Sequence, residues 1–426
     1  MAKVIKKQWV AEQESGMARR DRRSCDYEVY IPDRLRDRTI TLEGSVAAEV
    51  TDAEMAVARL NLEARGLSNS EALARLLLRS ESVASSKIEG LEVGAGRLLR
   101  AEAARQSGEP SRDVTASEVL GNIDAMSHAI ESVKEGDQIT IPLLLETHRQ
   151  LLAGSRLEAH AGQLRRQQNW IGGSSFNPCA AVFVPPPFDT IEEYLKDLCD
   201  FCNTDALPAV AQAAIAHAQF ETIHPFIDGN GRAGRALIHM VLRRRGLVPR
   251  VLPPVSLVLA TWATDYIAAL AGTRYLGSPD SPVASEGLNH WIGLFAAAAR
   301  RAVADADAFE KRIAALETGW RKQLAPLRRK STTDLLLNAL PGAPILTVQA
   351  AAALTGRSWP AANEAIARLE AAGILRQVTV GRRNRAFETP KLIRAFTDLE
   401  RQLASPTGDT RATPPSRKVP HRRNAP

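Results

Sequence analysis

The run from His224 to Arg235 reads His-Pro-Phe-Ile-Asp-Gly-Asn-Gly-Arg-Ala-Gly-Arg, and it concentrates groups that can do chemistry. His224 can act as a general base near neutral pH. Asp228 supplies the hard oxygen that Mg²⁺ takes together with phosphates. Arg232 and Arg235 are three residues apart, so on a helix they share a face and can clamp an anion. A purely structural loop does not need this density of base, acid, amide, glycine and arginine.

The glycines of this run favour a phosphate site at the start of a helix. Gly229, Gly231 and Gly234 match G-x-G-x-x-G, but the dinucleotide fingerprint needs a preceding strand, and residues 208–223 have a helical apolar pattern. The chain has no G-x-x-x-x-G-K-[ST] sequence, which excludes a standard P-loop. A helix that begins near Arg232 would still offer amide groups and a positive dipole end to an anion. The residues therefore predict a site for transfer of a nucleotide phosphate group.

The same twelve residues resemble the signature of the Fic family, H-P-F-x-[DE]-G-N-G-R-x-x-R, and agree with it at every defined position. The similarity covers roughly residues 30–300. Gln168-Asn-Trp-Ile-Gly172 and Phe183-Val-Pro-Pro-Pro187 look like that family's flap, a hairpin that positions the target segment. The resemblance implies adenylylation, in which AMP passes from ATP to a Ser, Thr or Tyr hydroxyl of a protein bound along residues 168–187.

The resemblance also implies a role for each residue of the site. His224 is the expected catalytic base, Asp228 the expected ligand of Mg²⁺, and Tyr266 the expected contact on the adenine side of ATP. The Asp-Gly-Asn-Gly-Arg core favours AMP transfer over the phosphate transfer of family members whose core departs from it. The phosphates of ATP are expected to contact a continuous run: Gly229, Asn230, Gly231, Arg232, Ala233, Gly234 and Arg235.

An upstream segment, Ser85-Ser-Lys-Ile-Glu89-Gly90, looks like the family's inhibitory motif, [ST]-x-x-x-E-[GN]. Ser85 and Glu89 are four residues apart and share a helix face. The resemblance implies that Glu89 pairs with Arg235, which would otherwise hold the γ-phosphate, so that the chain inhibits itself in cis. Glu89 could instead orient a water that removes AMP from a modified protein, or be only a solvated acid at a helix end.

The elements that must position these residues have mainly helical patterns, and the expected fold class is mainly α. Short β-like runs in 165–188 predict a hairpin, the flap. Ser68-Asn-Ser-Glu71 is a capping box before one helix. Helices are expected at 51–66, 70–90, 114–134, 142–153, 189–203, 208–223 and 232–245, with helical segments continuing to about residue 324.

The C-terminal part resembles a winged helix-turn-helix. Helices are expected at 333–340, 347–354 and 360–372, followed by strand-like runs at 374–380 and 385–388. This pattern implies DNA binding through residues 347–388, but the presumed recognition helix carries Glu364 and Glu370. The alternative is a protein-interaction module. A DNA-binding regulator, with the Fic core as a sensor, is therefore a second hypothesis beside the enzyme. The basic residues suited to phosphates on the wing are Arg376, Arg382, Arg383 and Arg385.

Five segments are expected in all: an N-terminal helical region at 1–139, which contains Ser85–Gly90, a catalytic core at 140–298, a helical connector at 299–330, a winged-helix-like domain at 331–400 and a disordered basic tail at 404–426. The tail has five basic residues against Asp409, so it supplies +4 of the net charge of +7, and the body is nearly balanced. A basic tail of this kind is more often solvated than bound to nucleic acid.

The cysteines and the apolar pattern indicate a cytoplasmic protein. Four cysteines in 426 residues are too few for a disulfide framework, which favours a reducing compartment. Cys199 and Cys202 form a C-x-x-C without a second pair, so two buried thiols are a better interpretation than a metal site. The sequence contains no run of about 18 apolar residues, so no membrane span is expected. The target protein, self-modification, the type of residue modified and the oligomeric state, including a homodimer, stay open.

Overall fold

Helices dominate the computed structural model of the chain, which describes residues 1–11, 22–63, 70–106, 108, 113–380 and 384–402. In chain order the α-helices are α1 (Gly44–Glu63), α2 (Ser70–Ile88), α3 (Ala95–Gln106), α4 (Val114–Glu131), α5 (Ile141–Leu152), α6 (Ile191–Cys202), α7 (Ala209–Ile223), α8 (Asn230–Arg244), α9 (Val255–Thr261), α10 (Ala263–Gly272), α11 (Pro282–Gln323), α12 (Thr332–Ala339), α13 (Val348–Thr355), α14 (Trp359–Ala371) and α15 (Pro390–Gln402). The strands are β1 (Lys3–Trp9), β2 (Cys25–Ile31), β3 (Ile345–Thr347), β4 (Arg376–Val380) and β5 (Asn384–Glu388). The mainly α prediction is confirmed.

The chain folds into two compact units. The first contains the described residues of 1–63, 121–252 and 264–300, and the second contains those of 64–120, 253–263 and 301–426. The division falls inside α4, after the first residue of α10, and inside α11. The predicted capping box at 68–71, the wing-tip residues Arg382 and Arg383, and the basic tail lie wholly or partly outside the described residues.

The first unit begins with a two-stranded antiparallel sheet, formed by β1 and β2, which the sequence did not predict. Strand β1 pairs with β2 from Lys3 opposite Ile31 to Trp9 opposite Cys25. Most side chains of β1 are exposed, and several are charged. Because one face of an antiparallel pair can remain in water, these strands lack the apolar run that would have predicted them.

Helix α7 forms the centre of the first unit. It is buried on all sides along nearly its whole length, as expected for a helix that is apolar all round. Helix α8 packs along it. The fully buried Trp291 of α11 donates its Nε1–H to the carbonyl of Ala214 on α7 at 2.8 Å. The run from His224 to Arg235 therefore leads from one core helix into another, and these two helices fix the positions of its ends.

A disulfide joins Cys25 of β2 to Cys179, with the Cα atoms 5.7 Å apart, so the expectation of reduced cysteines is wrong for this pair. The two residues are 154 positions apart in the chain, and the fold alone brings them together. The spacing of the two cysteines in the sequence does not predict such a bond. Cys199 and Cys202 are buried thiols, as predicted.

The second unit contains, in chain order, α12, β3, α13, α14 and the antiparallel strand pair of β4 and β5. Strand β5 is central in this sheet, with Phe387 opposite both Leu346 and Gln377. The predicted helices and hairpin strands agree with these bounds to within about two residues. Two elements were not predicted: β3, which has three residues, and α15, whose Leu392, Ala395, Phe396 and Leu399 are buried.

Within the described residues, no single helix is long and apolar enough to cross a membrane. The consecutive helices α9 and α10 pass that test only as a bent pair, and only by length and composition.

Candidate active site

His224 occupies a sharp turn at the end of α7. Its backbone is left-handed, with φ 49° and ψ 61°, and its N–H donates to the carbonyl of Phe220 at 2.9 Å. Residues with a side chain rarely adopt this conformation, and those that do concentrate at functional sites. The imidazole is partly exposed, and its Nδ1 lies 3.9 Å from Oε2 of Glu221. The turn therefore presents a solvent-accessible base beside a carboxylate.

Asn230 closes the loop between the two helices. Its Oδ1 accepts the N–H of Phe226 at 2.8 Å, and its Nδ2 donates to the carbonyl of Phe226 at 2.9 Å. The side-chain amide is thus engaged in holding the loop. The main-chain N–H of Asn230 and the second hydrogen of Nδ2 are the donors left for the predicted contact with a phosphate.

The N-terminus of α8 lies where the glycines predict an anion site. The helix begins at Asn230, two residues earlier than expected, and Gly229 precedes it with φ 78°. A Cβ atom at Gly229 would lie 2.8 Å from Cδ2 of Leu151, so both the backbone conformation and the space require glycine. The amides of Asn230, Gly231 and Arg232 form the first turn, whose N–H groups have no carbonyl partner within the helix.

Two oppositely charged groups flank this helix end. Nη2 of Arg232 lies 3.3 Å from Oδ2 of Asp228, whose side chain is 52% exposed, while the side chain of Arg232 is 6% exposed. Arg235 is buried one turn further along. The described residues contain no group of three or more His, Cys, Asp and Glu that could hold a metal ion. One exposed carboxylate beside an anion site nevertheless suits Mg²⁺, which usually binds through one or two carboxylates and phosphate oxygens.

Gly234 lies at the crossing of α7 and α8. A Cβ atom there would lie 2.6 Å from Oε1 of Glu221 and 3.1 Å from Nδ1 of His217. Close approach of the two helices therefore accounts for this glycine, and the neighbouring Ala233 is buried as well. The sequence interpretation of Gly234 as a phosphate contact overlooked this packing requirement.

Arg165 is a buried residue that the sequence analysis missed. Its guanidinium donates to the carbonyls of His224 at 2.9 Å, Pro186 at 2.5 Å and Gln167 at 3.1 Å. Burial lowers its pKa to about 10, which still leaves the guanidinium charged at neutral pH. Arg165 thus connects the turn at His224 to the end of the flap. No spacing motif predicts it, because its partners are backbone atoms distant in the chain.

His148 on α5 supports the loop from the other side. Its Nδ1 accepts the N–H of Gly162 at 3.1 Å, and its Nε2 lies 3.0 Å from the carbonyl oxygen of Asp228. Because a backbone N–H donates to Nδ1, the ring hydrogen is on Nε2 and is donated to that carbonyl. Burial lowers the pKa of His148 to about 4, so the ring is neutral. The ring also stacks on Phe226 at a centroid distance of 3.7 Å.

The flap is a minimal hairpin. The predicted β-like runs meet in one antiparallel bridge, in which the N–H of Ile171 donates to the carbonyl of Phe183 at 2.8 Å. Asn169 donates from Nδ2 to the carbonyl of Phe226 at 3.0 Å, which connects the flap to the loop. Val182 at the flap edge is 84% exposed. A short, exposed segment is therefore held next to the turn at His224.

Tyr266 lies in the core of the first unit. Its hydroxyl oxygen is 2.8 Å from Nε2 of His217, and both side chains are buried. His217 is therefore packed inside the core. The expected adenine contact of Tyr266 stays a prediction.

The inhibitory motif ends α2 in the second unit. Ser85 is fully buried, and Glu89 and Gly90 follow the last helical residue, Ile88, in an exposed turn. Gly90 has φ 81°, a conformation that favours glycine. The prediction that the motif stands at a helix end is confirmed.

Two of the arginines near the presumed DNA-binding helix and wing make contacts inside the second unit. Arg368 donates to the carbonyls of Leu324 at 3.0 Å and Pro326 at 2.9 Å. Arg376 forms an ion pair with Glu388. These guanidinium groups hold the module together, which reduces the basic surface that the sequence suggests.

The fold and the site define a helical protein in which the N-terminus of one helix follows closely on a histidine turn. Comparison with family models specifies the family: residues 138–242 match the Fic/DOC family, and residues 47–131 match the N-terminal region of that family. These two segments of the chain therefore belong to the Fic/DOC family.

Known relatives resemble the chain in sequence, and one solved structure resembles it in fold. Protein adenylyltransferase fic-1 of Caenorhabditis elegans is 29% identical over 248 residues, which are 56% of this chain and 46% of that protein. Protein adenylyltransferase Fic of Drosophila willistoni is 35% identical over 140 residues, or 32% of this chain and 26% of that protein. The chain thus matches less than half the length of these relatives. A Fic family protein from Desulfovibrio desulfuricans shares the fold, with TM-score 0.51, 20% identity, and coverage of 82% of this chain and 97% of the other.

Proposed function

We propose that the chain is a protein adenylyltransferase, which transfers AMP from ATP to a Ser, Thr or Tyr hydroxyl of a target protein and releases diphosphate. The observation that carries this proposal is the placement of the His224 imidazole, at a left-handed turn beside the N-terminus of α8. That arrangement puts a base next to an anion site. The relatives named protein adenylyltransferase support the same reaction.

His224 is the catalytic base of the proposed reaction. It takes the proton of the target hydroxyl while the hydroxyl oxygen attacks the α-phosphorus. The bond from that phosphorus to the bridging oxygen breaks, and diphosphate leaves. A positioned general base of this kind typically contributes about 10²–10⁴ in rate.

The phosphates are bound at the start of α8. The first-turn amides and the helix dipole attract the negative oxygens, and the charged side chains of Arg232 and Arg235 act on the same groups. Asp228 is the residue that holds Mg²⁺, which offsets phosphate charge when it is bound. In phosphoryl-type transfer, position and charge complementarity supply most of the catalysis.

The target binds along the flap at 168–187. The exposed Val182 and the backbone around the bridge of Ile171 with Phe183 offer an extended edge close to His224. The chain itself is a candidate target, and self-modification is the simplest assay. The reverse reaction, removal of AMP, is the alternative for the same site.

Glu89 restrains the activity in cis by pairing with Arg235. The resemblance of Ser85–Gly90 to the inhibitory motif supports this part of the proposal, and so does the accessible turn in which Glu89 stands. The cytoplasmic location stays a prediction. In a reducing compartment Cys25 and Cys179 would be thiols.

Intact-mass analysis after incubation with ATP and Mg²⁺ tests the reaction class. We expect the Glu89→Gly protein to gain the mass of one or more AMP groups, and the Glu89→Gly/His224→Ala protein to gain none. An equal gain in both variants would overturn the proposed role of His224. Absence of AMP on the Glu89→Gly protein and on every added target would contradict the proposed activity.

A further inference from the structure

Glu221 stands between two imidazoles on the last turns of α7. Its Oε2 lies 3.9 Å from Nδ1 of His224, and its Oε1 lies 4.0 Å from Nδ1 of His217. Its side chain is 12% exposed. These are ion-pair distances in a largely desolvated place, where a charge acts more strongly than in water.

The two histidines differ in their ability to take up a proton. His217 is fully buried, and burial, with a smaller contribution from Arg235, lowers its pKa to about 3. His217 is therefore neutral across the physiological range, and its Nε2 is committed to the hydroxyl of Tyr266. His224 is partly exposed and is the imidazole of the pair that can gain a proton next to Glu221.

Other charged groups surround this pair. Arg274 is attracted to Glu221, while burial lowers the pKa of Arg274 to about 10. Its guanidinium also lies over the ring of Phe183 in the flap, 3.6 Å from the centroid. The charged or titratable groups near His224 and Glu221 are His217 on α7, Asp228 in the loop, Arg232 and Arg235 on α8, Arg165 before the flap, and Arg274 after α10.

The packing of α7 on α8 preserves the space for this carboxylate. A Cβ atom on Gly234 would lie 2.6 Å from Oε1 of Glu221. Gly234 therefore leaves room for the Glu221 carboxylate beside His224. A larger residue there would displace one of the two.

We propose that Glu221 is a positioning residue for His224: it keeps the hydrogen of the neutral ring on Nδ1, leaves Nε2 as the base, and stabilises the imidazolium. This inference rests on the proposed AMP transfer. In the step, the proton moves from the target hydroxyl to Nε2, the new oxygen–phosphorus bond forms, and diphosphate leaves. Glu221 stays ionised throughout and receives no proton.

The sign of the expected shift follows from charge. A carboxylate near an imidazole favours the protonated form, so removal of the carboxylate lowers the pKa of His224. Opposite charges at about 4–6 Å move a pKa by about 1–3 units. We expect the lower end of that range for Glu221→Gln, because His224 is partly exposed. The acidic limb of the pH profile of kcat/KM moves to lower pH by the same amount. The maximum value of kcat/KM falls by about tenfold, which is less than the loss expected when His224 itself is removed.

The test is an NMR titration of the full-length protein labelled with ¹³C and ¹⁵N in histidine, with His224→Gln used to assign the signal. We expect Glu221→Gln to lower the pKa of His224 by about one unit and Glu221→Asp to keep most of the wild-type value. Glu192→Gln, an exposed acid on α6, is the matched control and should change nothing. A pKa of His224 that is the same or higher in Glu221→Gln would overturn the proposal.

The wild-type protein gives a second measurement that does not depend on the fold of a variant. The ¹⁵N shifts of neutral His224 should report the tautomer with hydrogen on Nδ1, and the Nε2–H tautomer would contradict the inference. Neither NMR measurement needs turnover. Lack of AMP transfer by the Glu89→Gly protein would therefore count against the proposed function, whereas an unmoved titration would count against the role of Glu221 alone.

Discussion

At the residue scale, the backbone of His224 explains why so many side chains around the site bind main-chain atoms. The left-handed conformation costs about 1–3 kcal/mol and persists only where the surroundings impose it. Arg165 and Asn230 impose it through bonds to the carbonyl of His224 and to both backbone groups of Phe226. The catalytic geometry is therefore a property of the supporting side chains as much as of the base.

Arg165→Lys tests this support. A lysine cannot reproduce the forked donors that reach three carbonyls, so buried acceptors lose their partners, which costs about 1–3 kcal/mol each. We expect AMP transfer to fall at least about tenfold, because small misplacements of reacting groups are costly. Initial rates and urea melts measure the two effects. Arg166→Lys, an exposed neighbour, should match wild type. Wild-type rates in Arg165→Lys would show that this support is dispensable.

The buried histidines predict how stability depends on pH. His148 and His217 have pKa values lowered to about 4 and about 3, so the unfolded chain binds more protons below its ordinary pKa near 6.5. Their stabilising contribution is complete above that value and is lost as pH falls from about 6.5 towards 4. Each group adds a slope of about 1.4 kcal/mol per pH unit.

Urea melts between pH 4.5 and 7 measure this slope in His217→Gln, which keeps a polar side chain next to Tyr266. We expect the slope to fall by about half, since one of the two groups is gone. His160→Gln, at an exposed position, should leave the slope unchanged. A slope in His217→Gln equal to that of wild type would mean that His217 already takes up its proton in the folded protein.

At the element scale, the flap is held from three sides. The disulfide ties Cys179 to β2, the N–H of Tyr30 donates to the carbonyl of Val184, and Arg274 lies over Phe183. One β-bridge alone would give the flap little stability. These attachments therefore determine how well the flap edge is ordered for a target.

The Cys25→Ser/Cys179→Ser protein tests the covalent attachment. The bond closes a loop of 154 residues, for which chain entropy predicts a stabilisation of at most about 5 kcal/mol. We expect a lower melting temperature than wild type and faster proteolysis of the flap. Dithiothreitol should lower the melting temperature of wild type and leave that of the double variant unchanged, which is the internal control. Equal melting with and without reductant in wild type would argue against the disulfide.

The two helices that flank the site loop, α7 and α8, were predictable from the sequence because their signals are local. The apolar run of 208–223 and the glycines before Arg232 place α7, the loop and α8 to within about two residues. The strand β1 was not predictable, because its charged, exposed side chains resemble a polar loop. Arg165 and His148 were missed for a related reason: each binds backbone atoms that only the fold brings near.

At the scale of the whole molecule, the run His224–Arg235 belongs to the first unit and the segment Ser85–Gly90 to the second. Ser85 is buried in α2, whereas Glu89 stands in an exposed turn just beyond that helix. A buried anchor and an accessible acid on one short segment suit a restraint that can be removed by a single substitution.

Glu89→Gly should raise AMP incorporation, including self-modification, by on the order of 10²-fold, because correct placement of the α-phosphate is worth about that much. Radiolabel counting with excess ATP measures the rise. If relief acts through Arg235, most of the gain should vanish in Glu89→Gly/Arg235→Ala. Glu71→Gly, an exposed acid in the first turn of the same helix, is the matched control. Incorporation by Glu89→Gly at or below the wild-type level would show that Glu89 is only a solvated acid.

Transfer of AMP by His224 is the central claim, and ATP labelled separately at the α- and γ-phosphates tests it most directly. The Glu89→Gly protein is incubated with each nucleotide in the presence of Mg²⁺, and protein-bound label is counted beside Glu89→Gly/His224→Ala. The account predicts that α-label becomes protein-bound, that γ-label does not, and that the His224 substitution lowers α-label by about 10²–10⁴. Protein-bound γ-label, or α-label that survives loss of His224, would contradict it.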